Sequence, residues 1–211
     1  MGLYPDPAFL NARYSNISPD RYVGDDFVSG KVGATSIAFS EIHAEYKTGH
    51  GKNQEWHTIF DGLFFVGDFN KHFTGRTVVL PDTAERIFGH IGTLFQSWNA
   101  KRDDLIKLED PEFEKLFAVY GTDQIQSRYI LSTSLMKRIT DFKNKTKRNI
   151  YLSFVDNKIF IAISCNKDLF EPNVFRTLKD FSSIQEYFND LQLAIGISED
   201  LNLDTRIWTK K

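Results

Sequence analysis

The densest run of strand-forming residues lies between Trp56 and Leu80, WHTIFDGLFFVGDFNKHFTGRTVVL. From Ile59 to Phe69 both alternating rows are largely apolar, with Ile59, Leu63, Phe65 and Phe69 on one and Phe60, Phe64 and Val66 on the other. A strand apolar on both faces requires cover on both sides, which predicts a central position in a sheet. Asp61, Gly62, Gly67 and Asp68 interrupt the run, and glycine lets a strand kink, so the strand is expected to curve or bulge. His72 to Gly75 reads as a turn into a second strand, Arg76 to Leu80, closed by Pro81-Asp82.

Ahead of this stretch the pattern alternates from Asp26 to Val32 and from Ala34 to Tyr46, but the apolar row changes parity. Ile37 and Phe39 are odd, whereas Ile42, Ala44 and Tyr46 are even. A bulge near Ser40-Glu41 would return both halves to one face. The glycine-containing run Thr48 to Asn53 predicts a hairpin loop. Behind it, Asn149 to Ser164 is the clearest hairpin: with Asp156-Asn157 as the turn, Phe154 faces Ile159, Leu152 faces Ile161 and Ile150 faces Ile163.

Helical spacing appears in five places. Asp82 and Glu85 stand at capping-box distance before Ile87, Phe88, Ile91, Phe95 and Trp98. Asp110-Pro111 starts a short helix through Phe113 and Leu116, between strands at Leu105 to Leu108 and Phe117 to Tyr120. Asp123 to Arg128 predicts another short helix, and Ser132 or Thr133 caps one whose buried row is Leu135, Met136, Ile139 and Phe142. Ser182 or Ser183 opens the last, with Ile184, Tyr187, Phe188, Leu191 and Ile195 on one side. Three prolines between Leu3 and Pro19 predict an extended N-terminal arm over residues 1–21, with a single globular unit over 22–211. The fold class expected is α+β: a largely antiparallel, curved sheet system with helices packed against it.

At 211 residues the chain is long enough for one substantial core, and 19 Phe, eight Tyr and three Trp predict a core filled by rings. A net charge of -2 supplies no excess of cations for phosphates, so nucleic acid is not an expected partner. The single cysteine, Cys165, forms no intramolecular disulfide, which suits a reducing, cytoplasmic setting and an inert thiol in or near the core. No run approaches the ~18 apolar residues of a transmembrane helix.

Phosphate-binding glycine loops, a nucleophile elbow and a helical histidine pair are all absent from the sequence. Glu41, His43 and Glu45 would line one strand face at period two, with His57 on the hairpin partner. Imidazole and carboxylates suit a divalent metal, but alternating polar residues on a half-exposed strand need no ligand to explain them. Asp61 and Asp68 have opposite parity, which favours turn caps or pairing with Lys71, Arg76 or Arg128 over a catalytic dyad. The candidate polar cluster is thus His43, His57, Asp61 and Asp68, with no metal and no cofactor expected. Lys143, Lys145, Lys147 and Arg148 form a basic helix end, read as a solvated terminus complementing the helix dipole, with anion binding as the alternative.

The segments IFDGLFFVGDFNKHFTG, LEDPEFEKLFAVYGTDQIQSRYILS and YLSFVDNKIFIAI together resemble a bacterial family catalogued as domain of unknown function 3137, from about Tyr22 to Trp208. The resemblance implies no activity. Because similar proteins often have hydrophobic segments ahead of this domain, it implies the cytosolic portion of a membrane-anchored protein, at the cytosolic face of the inner membrane, although this sequence carries no such segment. The function expected is a non-catalytic binding or scaffold domain for an unknown protein or small-molecule partner. The alternative is a hydrolase using carboxylate and histidine residues, with or without a metal.

Overall fold

In a computed structural model of the chain, the hairpin predicted at Asn149 to Ser164 forms with the expected register: Phe154 opposes Ile159, Leu152 opposes Ile161 and Ile150 opposes Ile163. The structure describes residues 19–32, 35–51, 53–68, 75–82 and 104–165, with helical positions at 185, 188–189, 191–192 and 195–196. The predicted helix after Asp82 and most of the N-terminal arm lie outside these residues.

The described strands are β1 (Arg21–Val32), β2 (Thr35–Thr48), β3 (Glu55–Asp68), β4 (Arg76–Pro81), β5 (Asp104–Leu105), β6 (Phe117–Gly121), β7 (Ile150–Val155) and β8 (Lys158–Ser164). They form one curved, open sheet in the order β1-β2-β3-β8-β7-β4-β6-β5, with every neighbouring pair antiparallel. Three described helices accompany them: α1 (Pro111–Leu116), α2 (Gln124–Ile130) and α3 (Thr133–Thr146). The α+β expectation is met in this form, a large antiparallel sheet with a few helices.

Each helix starts where a side-chain oxygen takes up backbone N–H groups that have no partner within the helix. Asp110 Oδ1 accepts from Glu112 N and Phe113 N, both at 3.0 Å. Asp123 Oδ1 accepts from Ile125 N at 2.8 Å and Gln126 N at 3.1 Å, and Ser132 Oγ accepts from Leu135 N at 3.3 Å.

The sheet is buried on both faces, as the two apolar rows of β3 require. On the first face Leu63 and Phe65 continue across β8 and β7 through Ile161, Ile163, Ile150 and Leu152, against Phe113, Leu135, Ile139 and Phe142 from the helices. On the second face Phe60 and Phe64 join Ile42, Ala44, Val78, Tyr151, Phe160 and Ala162.

This two-sided burial corrects the bulge expected at Ser40-Glu41. The pairing of β2 with β3 runs unbroken from Ile37 opposite Gly67 to Ala44 opposite Phe60. Phe39 belongs to the first core and Ile42 and Ala44 to the second, so the change of parity reflects which face is covered at each position. The irregularities lie on the neighbouring strands: Asp26 and Phe27 of β1 together oppose Ser40, with Asp26 at φ 50°, and Ile59 is the extra residue of β3 beside Ala44 and Glu45. The strand expected over Leu105 to Leu108 is confined to Asp104–Leu105.

Candidate functional site

The hairpin register continues past its last ladder pair. Ser164 N donates to Asn149 O at 2.9 Å, which sets Arg148 opposite Cys165. On the other side Gly62 pairs with Ser164, and Cys165 N donates to Asp61 O at 3.0 Å, which sets Cys165 opposite Asp61. Asp61 in turn pairs with His43. His43, Asp61, Cys165 and Arg148 therefore form one row across four neighbouring segments. It lies on the face of the first core, one step beyond the row through Leu63, Ile163 and Ile150. Gly62 makes this approach possible: it sits at φ 145°, and a Cβ there would run into the carbonyl of Ile163 and the amide of Cys165.

Within the row the polar groups face one another. His43 Nδ1 lies 3.1 Å from Asp61 Oδ2 and its Nε2 lies 3.4 Å from Glu45 Oε1, while Arg21 Nη1 donates to Glu45 Oε2 at 3.2 Å. The imidazole stands between its two carboxylates, so their oxygens diverge instead of converging on one point. Among the described residues no group of three His, Cys, Asp or Glu side chains is placed to hold a metal ion.

Arg148 Nη1 donates to Cys165 Sγ at 3.2 Å, and its guanidinium lies 5.6 Å from the centre of the Phe142 ring. Cys165 is 4 % exposed. Burial pushes its pKa up, and Glu41 adds to the rise, against the opposing pull of Arg148 and a backbone hydrogen bond from Leu63. The neutral thiol is favoured, which is the opposite of what a thiolate nucleophile needs.

The other expected candidates are divided. His57 opposes Tyr46 on the second face, where its ring stacks at 5.0 Å on the tyrosine and Nε2 lies 2.8 Å from Thr48 Oγ1. Its ring therefore points away from His43 and Asp61. Asp61 Oδ2 lies beside His43 Nδ1, Arg128 Nε donates to Lys107 O at 3.1 Å, and Lys71 lies outside the described residues. The backbone of Asp68 pairs with Lys158, and its side chain lies outside the described residues.

The basic helix end is likewise split. Lys143 Nζ donates to Asn149 Oδ1 at 2.7 Å, and burial, followed by repulsion from Lys147, holds its pKa below the ordinary lysine value. Lys147 caps α3 in the left-handed region at φ 58°, Lys145 is exposed, and Arg148 turns inward to Cys165.

Reading the candidates by residue type missed the pairing of Cys165 with Arg148. Its signal was present: carrying the hairpin register one pair beyond Ile150 and Ile163, and then one more, sets these two residues opposite each other.

Residues 58–203 match a family described as Protein of unknown function (DUF3137). The match starts inside β3, so β1, β2, His43 and Glu45 precede it, whereas Asp61, Arg148 and Cys165 fall within it. No curated protein and no solved structure matches the chain. With well over half of its length matched, the chain belongs to the DUF3137 family, proteins of unknown function.

Proposed function

We propose that the chain is a non-catalytic binding domain that holds another polypeptide along the edge of its sheet formed by β1. The observation that carries this reading is that, among the described strands, β1 is the last on its side of the sheet and exposes Val23 (52 %), Phe27 (50 %) and Val28 (46 %) along its length. An edge strand offers backbone N–H and C=O groups to an added strand, and proteins ordinarily keep such edges short, charged or covered. The polar row supports the same reading, since His43 is flanked by two carboxylates and burial favours a neutral Cys165 thiol. A photoreactive residue at Val23 is expected to capture a partner in cells, with capture lost on Val28→Lys and kept on His43→Ala. Equal capture from Ile125, 82 % exposed on α2, would count against the edge.

A second reading, a hydrolase, draws on the 3.1 Å contact by which Asp61 orients the His43 ring as a base would require. Turnover of an ester or phosphoester that His43→Ala abolishes would put it first.

We place the domain in the cytoplasm because a single buried thiol fits a reducing compartment. None of the described helices is long and apolar enough to cross a membrane. Attachment to the cytosolic face is the part implied by the family resemblance, and fractionation of the native gene product tests it.

A further inference from the structure

We infer that the polypeptide taken up by β1 is the β1 strand of a second copy, paired antiparallel about a two-fold axis near Ser29. This deepens the reading of β1 as a binding edge and rests on it. The bulge at Asp26-Phe27 breaks the regular ladder, leaving Val28 to Val32 as the straight run, paired with Phe39 to Thr35 of β2. Bulges guard edges against indiscriminate pairing, so only a register that accommodates this one is open.

Centring the pair on Ser29 does so. Val28 of each copy then stands opposite Gly30 of the other, where an added Cβ would meet nothing within 4 Å, so the exposed valine lies over open space. Lys31 of each copy comes against the bulged Asp26-Phe27 pair, which opposes Ser40 and so lies on the same face as Lys31. This sets the Lys31 ammonium against the Asp26 end of the partner strand. A parallel in-register pair would instead put Lys31 beside Lys31 and the aspartates beside each other, which is destabilising.

Shape and charge thus agree on one direction and one register. The element lies ahead of the family-matched stretch, so the inference concerns this chain and not its family as a whole. A pair of this length buries less than the ~1,200 Å² of standard interfaces, so the dimer is weak and dependent on concentration.

Sedimentation equilibrium of the full chain over a concentration series is expected to show reversible monomer–dimer exchange. Val28→Lys should weaken it by about tenfold or more, with unchanged circular dichroism. Under mild oxidation Ser29→Cys should form an interchain disulfide, because each copy meets its own mate at that position, while Val23→Cys should not. A chain that stays monomeric throughout overturns the inference. So does a dimer indifferent to Val28→Lys, or one that cross-links Val23→Cys as readily as Ser29→Cys. If the chain is monomeric yet Val23 still captures another protein in cells, the self-pairing fails while the edge remains a binding surface. If both fail, β1 is not the interaction surface.

Discussion

Leu152 has no exposed surface and lies between Ile161 and Val79 in the first core, so cutting it back leaves a cavity that close-packed neighbours fill only in part. Leu152→Ala is expected to cost roughly 2–5 kcal/mol in urea melts, and a loss near zero would contradict this packing. Tyr151, one position along, faces the second core, and burial raises its pKa from 10.0 to about 12 against a weaker lowering by its hydrogen bond with Ser164. Below pH 10 the phenol is protonated in both states and contributes no pH dependence. Between pH 10 and about 12 the unfolded chain releases that proton while the folded chain keeps it, so stability falls by roughly 3 kcal/mol across the window. Tyr151→Phe should flatten that part of the decline in denaturation series taken at stepped pH. Cys165 yields a kinetic test. Its buried, neutral thiol should react with a soluble thiol reagent far more slowly in the native protein than in urea, and rapid native labelling would contradict the burial.

The β7–β8 hairpin was legible because its turn and six alternating apolar residues admit a single register, and the starts of α1, α2 and α3 were legible because a side-chain cap is a local event. The cap can be tested directly. Asp110→Ala removes the acceptor for two N–H groups and should cost about 1 kcal/mol without changing the fold, measured as a shift in the urea midpoint. The β1–β2–β3 ribbon was legible only as strands. Parity along one strand cannot distinguish a bulge from a change in which face is covered, because that depends on what packs above and below. The polar row was half legible for the same reason. Glu41, His43 and Glu45 follow from period two, but their neighbours Asp61, Cys165 and Arg148 come from segments that meet only through long-range pairing.

For the molecule as a whole, the division of the basic helix end predicts weak attraction to anionic surfaces: Lys143 is engaged with Asn149 and Arg148 with Cys165. Each basic residue near an anionic membrane contributes roughly 1 kcal/mol, so most of the protein should stay in solution when sedimented with anionic vesicles at physiological salt. Tight, salt-resistant co-sedimentation would instead make this end a lipid-binding surface. The strand order also bears on synthesis. The β1–β2–β3 ribbon is made of neighbours in the chain and can form as soon as it leaves the ribosome. The inner edge of β3 pairs with β8, however, and Gly62 must wait for Ser164. Until those residues are translated, a long strand carrying Phe64 and Phe65 has one edge open, a condition that favours aggregation of a nascent chain. A ribosome stalled before Lys158 should therefore hold a product that engages chaperones, and release from them should coincide with emergence of β8.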